Sequence, residues 1–147
     1  MNGHSYLFTE GKWKATGIYT DGDGISYNAT GEVIVKHSTG LWMSDGIMNV
    51  KGLNDAEFQN NYKIIPFTEG KDFTTWKSIN PVFGLLTGRF VVIADSILSV
   101  YGSENGIISG SESLLQINNR LYRNWGFVFK GTDKLSSWAM DLEKQDL

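Results

Sequence analysis

The sequence predicts an all-β protein, an antiparallel up-and-down β-barrel of about eight to ten strands. Three observations predict it. Short runs alternate apolar and polar residues with period two. Turn residues separate the runs at intervals of about 10 to 15 residues, and no stretch longer than about ten residues carries a 3.6-residue apolar stripe.

The first run, residues 11–19, puts Trp13, Ala15, Gly17 and Tyr19 on one face and Lys12, Lys14 and Thr16 on the other, the pattern of a half-buried strand. Asp21-Gly22-Asp23-Gly24 follows, and its Asp-Gly pairs supply the positive-φ positions of a hairpin. In residues 26–36, Tyr27, Ala29, Gly31, Val33 and Val35 alternate with polar residues, Ile34 excepted. Residues 41–50 form a third run, with a bulge expected at Asp45-Gly46. Phe58, Asn60, Tyr62 and Ile64 share a face of residues 57–65. Runs 73–79 and 83–94 are broken by Asn80-Pro81; 96–101, 112–117 and 120–130 follow, closed by Gly102, Asn118 and Gly131, and 136–142 is the last run, with Trp138 and Met140 on one face. The charged tail, residues 140–147, is the best helical candidate. Glycines within runs, at 17, 31, 84 and 88, suit sharp bends in a curled sheet. Sequential antiparallel neighbours form a meander, and closing it removes exposed edges; a two-sheet sandwich is the rival architecture.

With 147 residues the chain fits one barrel domain, residues 1–147, that buries a proper core without disulfides. Seventeen glycines against two prolines favour tight turns over disorder. A net charge of −3, with the basic residues scattered, argues against a nucleic-acid partner. No cysteine is present, which excludes disulfides, thiolate zinc sites and cysteine nucleophiles. The N-terminal residues lack the basic and apolar regions of a signal peptide, and the longest strongly apolar run, residues 90–94, is too short for a membrane span. The expected setting is cytoplasmic, with no membrane partner.

Gly11-Lys12-Trp13, at the start of the first run, resembles the Gly-x-Trp signature of the calycin superfamily, which includes lipocalins, fatty-acid-binding proteins, avidins and nitrobindin-like barrels. The resemblance implies a barrel whose tryptophan closes one end, often under a basic side chain from a late strand, here Arg120 or Arg123. Gly11-Lys12-Trp13-Lys14 is similar to the opening of fatty-acid-binding proteins, and Arg120-Leu121-Tyr122 has the spacing of their Arg-x-Tyr carboxylate anchor, although it does not fall on the final strand. Only residues 21–24 stand where that family has a helical lid. Thr16-Gly17-Ile18-Tyr19 faintly resembles an avidin segment. Nitrobindin-like barrels hold haem through a late histidine; the last histidine here is His37, so haem is not implied. The disulfides and export signal usual in lipocalins are missing.

Specific chemistry is sparse. Asp21, Asp23 and Glu32 mimic the ends of a calcium loop, but Ile25 and Ser26 stand where a ligand and a glycine are needed, and the segment reads as a turn. His4 and His37 are too few and too far apart in sequence for an expected metal site. No motif for a cofactor or a nucleophile elbow appears. Asp95, Glu112 and Asp141 fall in or beside runs; the expected direction is outward, whereas an inward carboxylate would have a raised pKa and could act as acid or base. Aromatic residues, 13% of the chain, are the strongest positive feature. Trp42, Tyr62, Trp76, Tyr101, Tyr122, Trp125, Phe127 and Phe129 either fill a barrel or line a cavity in it. Asn60, beside Phe58 and Tyr62 on the inward face, favours a polar, wet interior.

The leading expectation is a barrel that binds a small apolar or aromatic, possibly acidic, molecule. Arg120 and Tyr122 would anchor an acidic group, with Tyr27, Asn60, Tyr62, Trp76 and Tyr101 as walls. The alternatives are an isomerase or lyase using the same cavity, and an interaction domain with a filled core, which would suit a homodimer through a barrel face.

Overall fold

A computed structural model describes residues 2–52 and 56–146. Ten strands make up the described chain: β1 (Gly11–Asp21), β2 (Ser26–Ser38), β3 (Leu41–Val50), β4 (Ala56–Ile64), β5 (Phe73–Asn80), β6 (Gly84–Ile93), β7 (Ser96–Ser103), β8 (Ile108–Asn118), β9 (Leu121–Lys130) and β10 (Asp133–Lys144). Each pairs antiparallel with its neighbours in sequence, and β10 pairs with β1, so the meander closes into a barrel. Among the described residues no helix is long and apolar enough to cross a membrane.

The period-two pattern sets which way each side chain points. Trp13, Ala15, Gly17 and Tyr19 of β1 face Val33, Gly31, Ala29 and Tyr27 of β2 on the inner surface, while Lys12 and Glu32 form an outer ion pair at 3.2 Å. The first hairpin is held by Asp21, whose Oδ1 accepts the Asp23 and Ile25 amides at 2.9 and 3.0 Å, with Gly24 at φ 82° completing the turn.

Three local expectations change. β3 runs in unbroken register through Asp45 and Gly46, so no bulge lies there. The register shifts fall instead between Lys134 and Ser136 and between Gln116 and Asn118. Residues 140–144 belong to β10 rather than a helix: Met140 and Leu142 continue the inward alternation, and the ladder to β1 closes the barrel; Leu147 lies outside the described residues. On β9 the inward residues are Tyr122, Asn124, Gly126 and Val128, so Trp125 and Phe127 point to solvent rather than inward.

One end of the barrel is plugged by the segment that precedes β1. Tyr6 and Leu7 are buried there, and the Trp13 ring meets Tyr6 and Tyr122 edge-on at centroid distances of 5.2 and 5.6 Å. The Tyr122 hydroxyl accepts the amides of Ser5 and Tyr6 at 3.1 and 3.4 Å. It donates to His4 Nδ1 at 2.6 Å, because His4 Nε2 must carry the proton that it donates to the Ala94 carbonyl at 2.9 Å. His37, stacked on Trp42, donates to the Leu7 carbonyl at 2.7 Å. Both histidines therefore tie the plug to the barrel.

The opposite end carries the β1/β2, β3/β4, β5/β6, β7/β8 and β9/β10 connections. The ladder is shortest between β4 and β5, where pairing covers only Tyr62–Ile64 against Trp76–Ser78. Towards the open end these two strands diverge.

Candidate functional site

A cavity of about 510 Å3 fills the barrel above the plug. It exists because three large aromatic side chains lie flat on the wall instead of crossing the lumen. Trp76 of β5 covers Gly88 of β6 and donates from Nε1 to Ser99 Oγ of β7 at 3.0 Å. Tyr101 of β7 covers Gly110 of β8 and donates to the Phe127 carbonyl of β9 at 3.1 Å. Trp138 of β10 covers Gly126 of β9 and donates to Asn124 Oδ1 at 3.1 Å. A Cβ on any of these glycines would collide with the ring above it. Strand glycines shielded by cross-strand aromatics are a recurrent way to curve a sheet. Here the same pairing also keeps the interior open, while small side chains such as Ser44, Ser78 and Ser136 leave further room.

The lumen is mostly apolar but carries one deep carboxylate. Glu112 of β8 points inward between Ser99 of β7 and Gly126 of β9. Glu112 is half-buried and lines the cavity. Burial pushes its pKa up to about 7, and the hydrogen bond from the Asn124 side chain only partly offsets this. Burial also raises the pKa values of Tyr6, Tyr62 and Tyr101, and the nearby Glu112 charge is the next cause for all three. These phenols stay protonated and surround a single carboxylate. Glu57 lies near the mouth, and no lysine, arginine or histidine lines the cavity among the described residues. Tyr19 of β1 and Phe58 of β4 reach across β2 and β3 to stack at 5.3 Å and line the cavity. The mouth lies beside the diverging end of β4 and β5, at Gln59, Asn80, Pro81 and Val82.

The structure brings together four of the seven residues expected from the sequence to form a site: Asn60, Tyr62, Trp76 and Tyr101 line the cavity. Three lie elsewhere. Arg120 is outside the barrel, where its Nη2 donates to the Lys144 carbonyl at 2.9 Å and to Asp146 at 2.8 Å. It precedes β9, in a turn, so strand alternation does not set its direction. Tyr122 points inward but is spent on the plug, below the cavity. Tyr27 sits at the open rim with its hydroxyl donating to Asp21 Oδ2 at 3.3 Å. Neither arginine covers Trp13 as the calycin resemblance implies: Tyr6 and Tyr122 do, and Arg123 pairs with Asp141 outside at 3.8 Å.

Glu112, Asn124 and Trp138 are cavity residues that were not expected from the sequence. Glu112 was expected to point outward, as Asp95 and Asp141 do. Its phase carried the signal, because Ile108, Gly110, Glu112 and Leu114 share a face whose two ends are buried isoleucine and leucine. Among the described residues no three His, Cys, Asp or Glu side chains gather as a metal site.

The sequence matches no protein-family model and no curated protein. Among solved structures the chain is similar to the S-type phycobiliprotein lyase CPES from Guillardia theta, with a TM-score of 0.64, 6% identity, 93% of this chain covered and 88% of that one. At that identity the likeness is one of fold, and it agrees with the calycin-like, closed ten-stranded barrel seen here.

Proposed function

We propose that this chain is a small-molecule-binding barrel that holds a largely apolar, aromatic molecule in its lumen. The observation that carries this reading is the hollow interior itself: Trp76, Tyr101 and Trp138 are each pinned to the wall by a hydrogen bond over a glycine, so the space between them is built into the fold. Its volume of about 510 Å3 falls within the range of about 300–1,000 Å3 usual for ligand sites. Asn60, Tyr62, Trp76 and Tyr101 serve as walls, and burial of apolar ligand surface supplies the drive. Native mass spectrometry of freshly purified protein, with N-phenyl-1-naphthylamine added in a second run, tests it. A one-to-one adduct in either run is expected; a bare polypeptide mass in both would overturn the reading.

A second reading is favoured by Glu112. A carboxyl group poised near neutrality in an apolar cavity suits general acid–base chemistry on the occupant, and the fold neighbour is a phycobiliprotein lyase. In this reading the barrel is an isomerase or lyase that moves a proton through Glu112. It predicts turnover that Glu112→Gln abolishes without loss of binding.

A further inference from the structure

We propose that the cavity is selective for an aromatic ligand that presents a protonated amine or other strong N–H donor, which Glu112 receives, and that it disfavours carboxylates. The inference rests on the binding reading above and reverses the acidic ligand expected from Arg120 and Tyr122.

The chemistry of the lining carries it. Glu112 lies deep in the lumen with no ion-pair partner among the described residues. The charged or titratable groups that face it are the phenols of Tyr6, from the plug, Tyr62, from β4, and Tyr101, from β7. No cation answers the carboxylate from any wall among the described residues. Asn124, on β9, is the polar neighbour the wall provides, and its Oδ1 is already taken by the Trp138 indole while its Nδ2 also donates to the Ser113 carbonyl at 3.2 Å. A buried, underpartnered acceptor of this kind gains most from a charge-assisted hydrogen bond, and it repels a second anion in a medium that screens poorly. The rings of Trp76 and Tyr62, which meet edge-on at 4.6 Å beside the lumen, add faces that favour a cation. The Tyr62 hydroxyl makes no hydrogen bond to protein among the described residues and is free to bond the ligand.

Three probes of equal shape test the assignment: 1-naphthylmethylamine, 1-naphthylmethanol and 1-naphthaleneacetate, titrated by calorimetry near pH 8 against the native chain and Glu112→Gln. The amine is expected to bind about tenfold or more tighter than the acetate, with the alcohol between. In Glu112→Gln that spread should collapse while the alcohol's affinity stays within about threefold. A second measurement needs no variant: repeating the native titrations near pH 5.5, where Glu112 carries its proton, should shrink the amine's advantage severalfold. Equal affinities for all three probes, or an advantage for the amine that survives Glu112→Gln, overturns the donor assignment alone. Failure of every probe to bind overturns the binding reading on which it rests.

Discussion

Glu112 keeps its proton to about pH 7 in the folded protein because the surrounding barrel replaces water around the carboxylate. In the unfolded chain the same group ionises in the usual carboxylate range. Between these limits the unfolded state releases a proton that the folded state retains. This group therefore favours folding in full below about pH 4, loses that contribution as pH rises to about 7, and adds no further slope above. Urea unfolding followed from about pH 5 to pH 8 should show stability falling by about 1–3 kcal/mol from this source, the lower figure applying if water in the cavity solvates the charge. Glu112→Gln should flatten the slope; an unchanged slope would place the carboxylate in solvent. Tyr122 offers a contrast. Its hydroxyl holds two backbone amides and His4, so Tyr122→Phe should cost about 2–3 kcal/mol in chemical denaturation and leave naphthyl-probe affinity nearly unchanged. Arg120→Ala should alter neither by more than about 0.5 kcal/mol, given its exposed partner Asp146. The Arg-x-Tyr spacing was legible in the sequence, but its use was not. Arg120 stands in a turn outside the alternation, and the groups that occupy Tyr122 come from the distant N-terminal segment.

Alternation in the sequence marks the inward face wherever one face of a strand is apolar. Trp13, Ala15 and Tyr19, and likewise Phe58 and Tyr62, point inward as their spacing requires. On β9 the pattern misled, because the outward positions hold Trp125 and Phe127 while the inward ones include Gly126 and Asn124. The missing information is a cross-strand one: Gly126 is inward because Trp138, a β10 residue, lies on it. The three aromatic–glycine pairs give an element-level prediction. Gly88→Val or Gly126→Val should lift the indole off the wall into the lumen, reducing N-phenyl-1-naphthylamine affinity about tenfold or more while far-UV circular dichroism still reports a β-barrel. Unaltered affinity in both variants would mean that the rings do not define the cavity. The β4/β5 ladder gives another. Its three residue pairs include Lys63 directly opposite Lys77, a like-charge pair on the outer face. Amides of β4 in the range 57–61 that face β5 should exchange with deuterium faster than those in the middle of β9, which pairs on both sides. Lys77→Glu should slow exchange at Lys63 and Ile65, whose amide donates to the Thr75 carbonyl at 3.1 Å. Uniform protection across the barrel would refute the weak seam.

At the scale of the molecule, the sequence favours a closed meander over a two-sheet sandwich but leaves open whether it closes around a full or a hollow interior. Closure follows from ten sequential runs and the continuation of alternation through Met140 and Leu142 to pair with β1. Hollowness follows from things that alternation does not encode: the aromatic side chains that lie along the wall, the glycines that receive them, and the plug that occupies the Trp13 end. The hydrogen-bonded plug at one end and the short β4/β5 ladder towards the other are the arrangement expected of a container that must admit an occupant and retain it. A fluorescence titration with N-phenyl-1-naphthylamine tests this most directly. Saturable binding of one molecule per chain is expected, with blue-shifted, enhanced emission and quenching of tryptophan fluorescence as the probe settles beside Trp76 and Trp138. Emission that stays at its aqueous wavelength, or that rises without saturation, would contradict a hollow, ligand-binding lumen.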